Sequence, residues 1–477
     1  MIELQHVTYT YPFQEKPAVR DISLTVNKGE VTLVTGASGC GKSTLVRLVN
    51  GLCPNFFQGS LDGEIRHNGI LSAKKDLQQL SAEVGTVFQD PEMQFFALNV
   101  DDEIAFAHEW LGKPRQEIEE VVKQTAAQLN ITHILSSSIH DLSEGQKQKV
   151  ALADILSLSP SMVVLDEPSA NLDPESTEGL AELIRDLKTR GIAVLVVDHR
   201  LYWLEGVADR VVVMSDGEIV AQGEYSLLED SALRTRYGLR SHHVPDTRAT
   251  LPPLPPTGHL EVQGLTFGHG NGPTLYRNAS FALPQGVTGI IGDNGTGKTT
   301  LARLLTGLTK PREGEIAISG DKVKPKHLLK HAGIVLQNTD HQLHMNSVLQ
   351  EVAMASGIHR IRKENRANLL AFLDRFGLAH LAERHPQSLS GGEKQRLVIA
   401  CGLAQKPDIF ILDEPTSGLD GHNMQRIATM MRDAADSGTS VVVITHDLEL
   451  LHLACDVALR LPFSHEQQES SPCLKTA

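Results

Sequence analysis

The chain has 477 residues, 41% of them hydrophobic, and a formal net charge of −14. That length favours two or more domains over a single core, the apolar share is globular, and the negative balance argues against nucleic acid as the main partner, since phosphate backbones are gripped by clustered Lys and Arg. No stretch approaches the apolar length of a membrane span, the first residues lack the features of a signal peptide, and five scattered cysteines (Cys40, Cys53, Cys401, Cys455, Cys473) contain no C-x-x-C pair, so a cytosolic protein without disulfides or structural zinc is expected.

In chain order, "VTLVT" (31–35) is a β-branched apolar run suited to a buried strand, and "LVRLV" (45–49) reads as the apolar face of a helix. Between them, "GASGCGKST" (36–44) fits the pattern G-x-x-x-x-G-K-[ST]. Gly36, Gly39 and Gly41 allow backbone N–H groups to turn inward around a phosphate chain, with Ser38 and Thr44 beside them. Lys42 can reach the terminal phosphates and the Ser43 hydroxyl a magnesium ion, while the helix N-terminus adds partial positive charge. Cys40 reads as a small residue filling the turn. Gln89 follows another apolar run. "LSEGQ" (142–146) opens a helix, with Ser143 and Gly145 at an N-terminus that favours an anion. The apolar strand 162–165 ends in Asp166 and Glu167, which places two carboxylates at the C-terminal edge of a sheet, where ligands bind in open α/β folds. A further apolar strand closes on His199.

The chain then repeats itself. "GDNGTGKTT" (292–300) brings Gly292, Asn294, Gly295, Gly297, Lys298, Thr299 and Thr300 after another apolar run; Gln337 answers Gln89, and Ser390 and Gly392 of "LSGGE" answer Ser143 and Gly145. Asp413, Glu414 and His446 answer Asp166, Glu167 and His199. Lys42 and Lys298 lie 256 residues apart, Gln89 and Gln337 248, and the later pairs 247. Register so constant marks a duplicated domain, with a loop or strand trimmed between the lysine and glutamine of the second copy. The second copy also lacks a counterpart of 216–228. We place the first domain at 1–240, a proline-rich linker at 241–258, the second domain at 259–463 and a polar tail at 464–477.

A phosphate loop, a glutamine, an L-S-G-G-Q-like pentapeptide, L-D-E-P and a lone histidine, in this order and twice over, resemble the nucleotide-binding domains of ATP-binding cassette (ABC) proteins across nearly the whole chain. The resemblance implies an α/β fold of two tandem P-loop NTPase domains, each with a mostly parallel sheet core, an antiparallel β lobe and a helical subdomain. It implies ATP and Mg2+ as cofactors. Ser43, Gln89 and Asp166, with Thr299, Gln337 and Asp413, would serve the metal. Glu167 and Glu414 would polarise the attacking water, His199 and His446 would contact the γ-phosphate, and Gln89 and Gln337 would reach both water and metal. In the family each ATP lies between one domain's phosphate loop and the other's pentapeptide, so a pseudo-symmetric intramolecular dimer of the two halves is implied. Lys42, Asp166 and Glu167 would face Ser390 and Gly392; Lys298, Asp413 and Glu414 would face Ser143 and Gly145. Glu144 stands where a glycine is usual and brings an extra carboxylate to the second site. Tyr11 offers a face for adenine stacking and the aligned His269 a poorer one, although both could be surface residues.

The run "DPEMQFFALNVDDEIAFA" after Gln89 resembles the matching segment of ATPases from energy-coupling factor (ECF) and cobalt-type importers. Phe95, Phe96, Leu98, Ile104 and Phe106 would form a partner-docking patch, part of which must be core. The second copy keeps Gln342, Val348, Glu351 and Val352 but has His344 and Met345 where aromatic or small residues are usual. The resemblance implies a peripheral ATPase motor on the cytoplasmic face of a membrane, gripping a T-component that carries a substrate-capturing S-component, for uptake of a vitamin or metal ion. The rival is a soluble tandem ATPase acting on ribosomes or nucleic acid. Such translation factors carry long charged helical linkers, and their DNA-repair relatives carry zinc-binding cysteines. A third reading, a nucleotide sensor with dead sites, sits poorly with Glu167, Glu414, His199 and His446.

Overall fold

The computed structural model describes residues 1–270 and 274–463; the expected tail at 464–477, with Cys473, lies outside them. The chain divides into two compact units, 1–243 with 420–422, and 244–419 with the residues from 423 onward.

In the first unit, strands β1 (Ile2–Thr10), β2 (Val19–Val26), β4 (Ser60–His67) and β5 (Ile70–Leu71) form an antiparallel sheet in the order β2-β1-β4-β5. The second sheet runs β10-β9-β3-β8-β7-β6, from β3 (Val31–Gly36), β6 (Val84–Val87), β7 (Met162–Asp166), β8 (Ala193–Val197), β9 (Arg210–Ser215) and β10 (Glu218–Gly223). All its neighbours are parallel except the β9–β10 hairpin. Every residue of β3 and β8 is buried, which is why these strands are unbroken apolar runs: helices and the antiparallel lobe leave neither face in water. Helices Val100–Trp110, Arg115–Gln128 and Glu144–Ser157 form a helical subdomain whose apolar faces join the core that includes Val31, Leu33 and Val196.

The second unit repeats this plan. Its antiparallel sheet is β12-β11-β14-β15, from β11 (Leu260–Gly268), β12 (Thr274–Leu283), β14 (Glu313–Ile318) and β15 (Asp321–Val323). Its parallel sheet is β16-β17-β18-β13-β19, from β13 (Gly286–Ile291), β16 (Ala332–Val335), β17 (Ile409–Asp413), β18 (Ser440–Ile444) and β19 (Val457–Arg460). Helices Val348–Ala355, Lys363–Arg375 and Gly391–Leu403 answer the helical subdomain. The shortening between Lys298 and Gln337 removes no strand, since β14 and β15 answer β4 and β5; instead the short helix Leu52–Asn55 has no counterpart among the described residues and the helix Leu77–Glu83 is cut to Pro325–Leu328. The missing counterpart of 216–228 is the β10 edge, absent from this sheet among the described residues. Part of the proline-rich segment lies along β19: Pro253 bridges Ala458, and Arg460 donates to the carbonyls of Arg248 and Leu251.

Candidate active site

Each phosphate loop joins the end of a buried strand to the first turn of a helix, Lys42–Val49 after β3 and Lys298–Leu305 after β13. Two glycines are forced by close approach. At Gly36 (φ 152°) a Cβ would lie 2.2 Å from the Met214 carbonyl oxygen, and at Gly41 (φ 105°) 2.6 Å from that of Ala18. Lys42 is buried and donates to the carbonyls of Gly36 (2.9 Å) and Ala37 (3.0 Å). Lys298 does the same with Gly292 (2.7 Å) and Asp293 (2.9 Å). Both ammonium groups are thus folded onto their own loops, at the mouth of a helix N-terminus suited to phosphate.

The parallel register sets the carboxylates. Asp166 pairs with Val197 at the end of β7, and Asp413 with Ile444 at the end of β17. The next residues, Glu167 (φ 50°) and Glu414 (φ 47°), are non-glycines in the left-handed region, a strained conformation that recurs at functional positions. Each is tied at its N–H to a neighbouring strand, Glu167 to Val197 (2.7 Å) and Glu414 to Ile444 (2.8 Å). Burial pushes the Glu167 carboxyl up to about 8, with Asp198 adding to the rise, and that of Asp166 up to about 6. Asp413 is also raised by burial, opposed by the Thr299 hydroxyl that donates to its Oδ2 at 2.8 Å. A hydroxyl touching a carboxylate is a hard-oxygen pair that fits Mg2+ sharing its remaining positions with phosphate and water.

The structure gathers Gln89 and His199 around Glu167 and places His446 against Glu414. Gln89 Nε2 donates to Glu167 Oε2 at 2.9 Å, and His199 Nε2 lies 3.5 Å from Oε1. Burial, reinforced by Lys42, holds the His199 imidazole well below its usual range, hence neutral. In the second unit the His446 N–H donates to Glu414 Oε1 (3.0 Å), the Thr445 hydroxyl to Oε2 (3.1 Å), and the His446 ring meets Asn294 Oδ1 at 2.9 Å. Asp198 and Thr445 occupy one repeat position and were passed over in sequence, although "VVDH" beside "VITH" displays the exchange.

Ser143 and Ser390 cap helices Glu144–Ser157 and Gly391–Leu403 through reciprocal capping boxes with Gln146 and Glu393. Glu144 does not stand unpaired: Lys147 Nζ lies 3.0 Å from its Oε1 and also pairs with Glu92. Lys394 repeats this contact with Asp340 at 2.7 Å. In both halves a lysine two positions past the motif's second glycine thus ties the pentapeptide helix to the segment following the glutamine, a link that only the folded chain reveals. Tyr11 is half-buried, and its hydroxyl accepts from Arg47 (2.8 Å) and meets Thr44 (3.3 Å); His269 meets Thr300 at 3.4 Å. Phe13, fully exposed and unremarked in sequence, is the aromatic with a ring open to solvent on this segment.

The run after Gln89 is divided by the fold. Ile104 is wholly buried and Phe95 packs on the core, whereas Phe96 (76% exposed), Leu98 and Trp110 (80%) stand in water. Phe96 stacks on Phe106 at 5.1 Å. With Phe88 and Leu77 they line a groove of about 720 Å³ whose floor holds Glu103 and Asp154. Glu103 accepts the N–H groups of Phe96 and Ala97, and Glu351 those of His344 and Met345. Burial, with Glu103 adding, pushes Asp154 up to about 7. The repeat places Met354 opposite Phe106 and Cys401 opposite Asp154, so the second unit carries neither the aromatic pair nor the second acid. Gln342 closes its own loop, accepting from Leu336 N–H and donating to the Ile334 carbonyl.

Two phosphate-gripping loops, each backed by a strand-ending acid pair and a histidine, define a tandem P-loop ATPase. The chain belongs to the ABC transporter family, whose profile matches residues 19–170 and 276–417. It is similar to a Treponema denticola protein named as an ABC transporter ATP-binding protein, 38% identical over 97% of this chain and 95% of that one. A Bacillus subtilis protein named as an HMP/thiamine import ATP-binding protein, YkoD, is 34% identical over 97% of this chain and 90% of its own length. The solved structure of a protein titled RNase-L Inhibitor shares the fold, with a TM-score of 0.64 and 22% identity over 96% of this chain and 87% of that one. The chain is therefore an ATP-binding ATPase that powers a transporter through membrane components. Among the described residues no helix is long and apolar enough to cross a membrane.

Proposed function

We propose that the chain is the peripheral motor of an ECF-type importer on the cytoplasmic face of a membrane, driving uptake of a vitamin or metal-ion micronutrient. The observation that carries this reading is the exposed aromatic groove beginning beside Gln89, built to receive an apolar helix of a membrane T-component, its acidic floor suited to a basic residue on that helix. A relative named as an importer over nearly its whole length supports it.

In this reading ATP binds twice, each time between one half's phosphate loop and the other half's pentapeptide. Lys42 and Lys298 leave their own carbonyls for the phosphates, and Ser143 and Ser390 present capped helix N-termini to the γ-phosphate of the opposite site. Glu167 and Glu414 orient water for in-line attack, and the neutral His199 and its counterpart His446 hydrogen-bond to the phosphoryl oxygens. Ser43, Gln89 and Asp166, and in the other half Thr299, Gln337 and Asp413, would hold Mg2+, which would neutralise phosphate charge. Binding closes the halves and hydrolysis reopens them.

Co-expression tests the reading. The chain is expected to sediment with membranes only when its neighbouring integral membrane proteins are produced with it. A chain that stays in the soluble fraction with those partners present would remove the importer assignment.

A further inference from the structure

The segment before Gln337 differs in charge from its counterpart before Gln89. Residues 74–83 hold Lys74, Lys75, Asp76 and Glu83, whereas 322–331 hold Lys322, Lys324, Lys326 and Lys330 with no acid among them, in a chain of net charge −14. The fold keeps the two segments in equivalent places. A Cβ at Gly51 would lie 2.4 Å from Leu80, on the helix Leu77–Glu83, and one at Gly307 would lie 2.2 Å from the Pro325 carbonyl oxygen and 3.1 Å from Leu328. Each short helix is thus seated on the glycine turn that follows its phosphate-loop helix, and Leu80 and Leu328 share the 248-residue spacing of Gln89 and Gln337.

That register puts second-unit residues on the positions that line the first unit's groove. Leu308, Lys326, Leu329 and Met354 answer Leu52, Gln78, Ser81 and Phe106, all four of which line it. Leu308, Leu329 and Met354 are exposed, forming an apolar strip without aromatic rings. Lys324, Lys326 and Lys330 are exposed as well and enter no ion pair among the described residues, while Lys322 pairs with Glu315. The acids of this face are already engaged or gone. Glu351, the counterpart of Glu103, is buried and accepts the N–H groups of His344 and Met345; Asp340 is paired with Lys394, and Cys401 replaces Asp154. An apolar strip edged by three unpaired ammonium groups is complementary to an apolar helix face flanked by carboxylates.

We propose that the second unit docks an acidic amphipathic helix of the membrane partner on Leu308, Leu329 and Met354, with the carboxylates of that helix meeting Lys324, Lys326 and Lys330. The first unit, with Glu103 and Asp154 on the floor of its groove, takes a basic helix instead. A partner that offers one helix of each sign then engages the chain in a single orientation, because the exchanged pairing sets like charges against one another. The proposal rests on the importer reading, and adds to it that charge decides which half meets which helix.

The test uses the full chain and two labelled helical peptides with the same apolar face, one flanked by glutamates and the other by lysines, with binding followed by fluorescence anisotropy. Lys324→Glu with Lys326→Glu and Lys330→Glu is expected to weaken the acidic peptide by about 10-fold, as the loss of three exposed ion pairs of ordinary strength would, and to leave the basic peptide no weaker. Phe96→Ala with Trp110→Ala should do the reverse and weaken the basic peptide alone. Lys324→Gln with Lys326→Gln and Lys330→Gln, which removes the cations without adding charge, serves as the second variant if the reversal fails to fold, and should weaken the acidic peptide by about 3-fold. Unchanged affinity of the acidic peptide for the lysine variants overturns the proposal. So does lysine-dependent binding to vesicles of phosphatidylcholine and phosphatidylglycerol in equal parts without lysine-dependent binding of the acidic peptide, which would make the strip a lipid contact. The importer reading fails separately, when the unaltered chain does not sediment with partner-bearing membranes, whatever the peptides do.

Discussion

The first half presents an aromatic groove floored by Glu103 and Asp154; the second has Met354 and Cys401 at the places of Phe106 and Asp154. The loops, capping boxes and strand registers are by contrast nearly superimposable in pattern. In the proposed reading, duplication has kept the loops that would grip phosphate, where geometry leaves little freedom, and released the face that would meet a partner. Identical motifs therefore do not imply interchangeable halves.

The largest effect that bears on this contrast is the loss of both glutamates. Glu167→Gln with Glu414→Gln should lower steady-state turnover by about 10³-fold, within what a general base contributes, while filter binding shows ATP retained. Comparing the two single substitutions sharpens the contrast, since equal losses would make the halves kinetically equivalent. Next comes the groove. Phe96→Ala with Trp110→Ala should weaken co-sedimentation with partner-bearing membranes by about 10- to 100-fold, as for exposed aromatic anchors, whereas Met354→Ala should cost less than about 3-fold. Quantitative sedimentation decides whether the two faces differ.

The buried acid gives a smaller, pH-dependent signature. Asp154 binds its proton more tightly folded, at about 7, than it would unfolded. Between roughly pH 4 and 7 the folded state therefore holds the extra proton, and stability falls as pH rises through that window. Asp154→Asn should raise Tm by a few degrees, on the order of what 1 kcal/mol gives a unit of this size, at pH 8 and not at pH 4; Cys401→Ser should show no such dependence. Scanning calorimetry at both pH values checks it. Smallest is the adenine side: Phe13→Ala should raise the KM for ATP about 3-fold if its open ring stacks on the base, with kcat unchanged.

How much of this was legible depended on how local the cause is. The strands flanking each phosphate loop could be read because a sheet buried on both faces demands continuous apolar runs, and the capped pentapeptides because a capping box is a four-residue affair. Phe95 and Phe96 could not be sorted: the short 3-10 turn Pro91–Gln94 breaks any periodicity just before them, and they part to core and solvent. Lys147 and Glu92 are 55 residues apart, so their pairing exists only once the helical subdomain has formed. The pairing of Glu144 with Lys147, which answers the extra carboxylate expected at the second site, could not be read for the same reason. The Asp198–Thr445 exchange was visible letter by letter, but an acid before a histidine carries no sign of what its neighbours in space will ask of it.

The left-handed backbone at Glu167 and Glu414 has a consequence for how the protein can decay or be engineered. A side chain there costs about 1–2 kcal/mol that glycine would not incur, so replacing either glutamate by glycine should make the chain more heat-resistant and catalytically inert. Selection for robustness alone would erase both residues, and if they orient the attacking water as proposed, their presence in each copy marks two positions where durability has been surrendered to turnover.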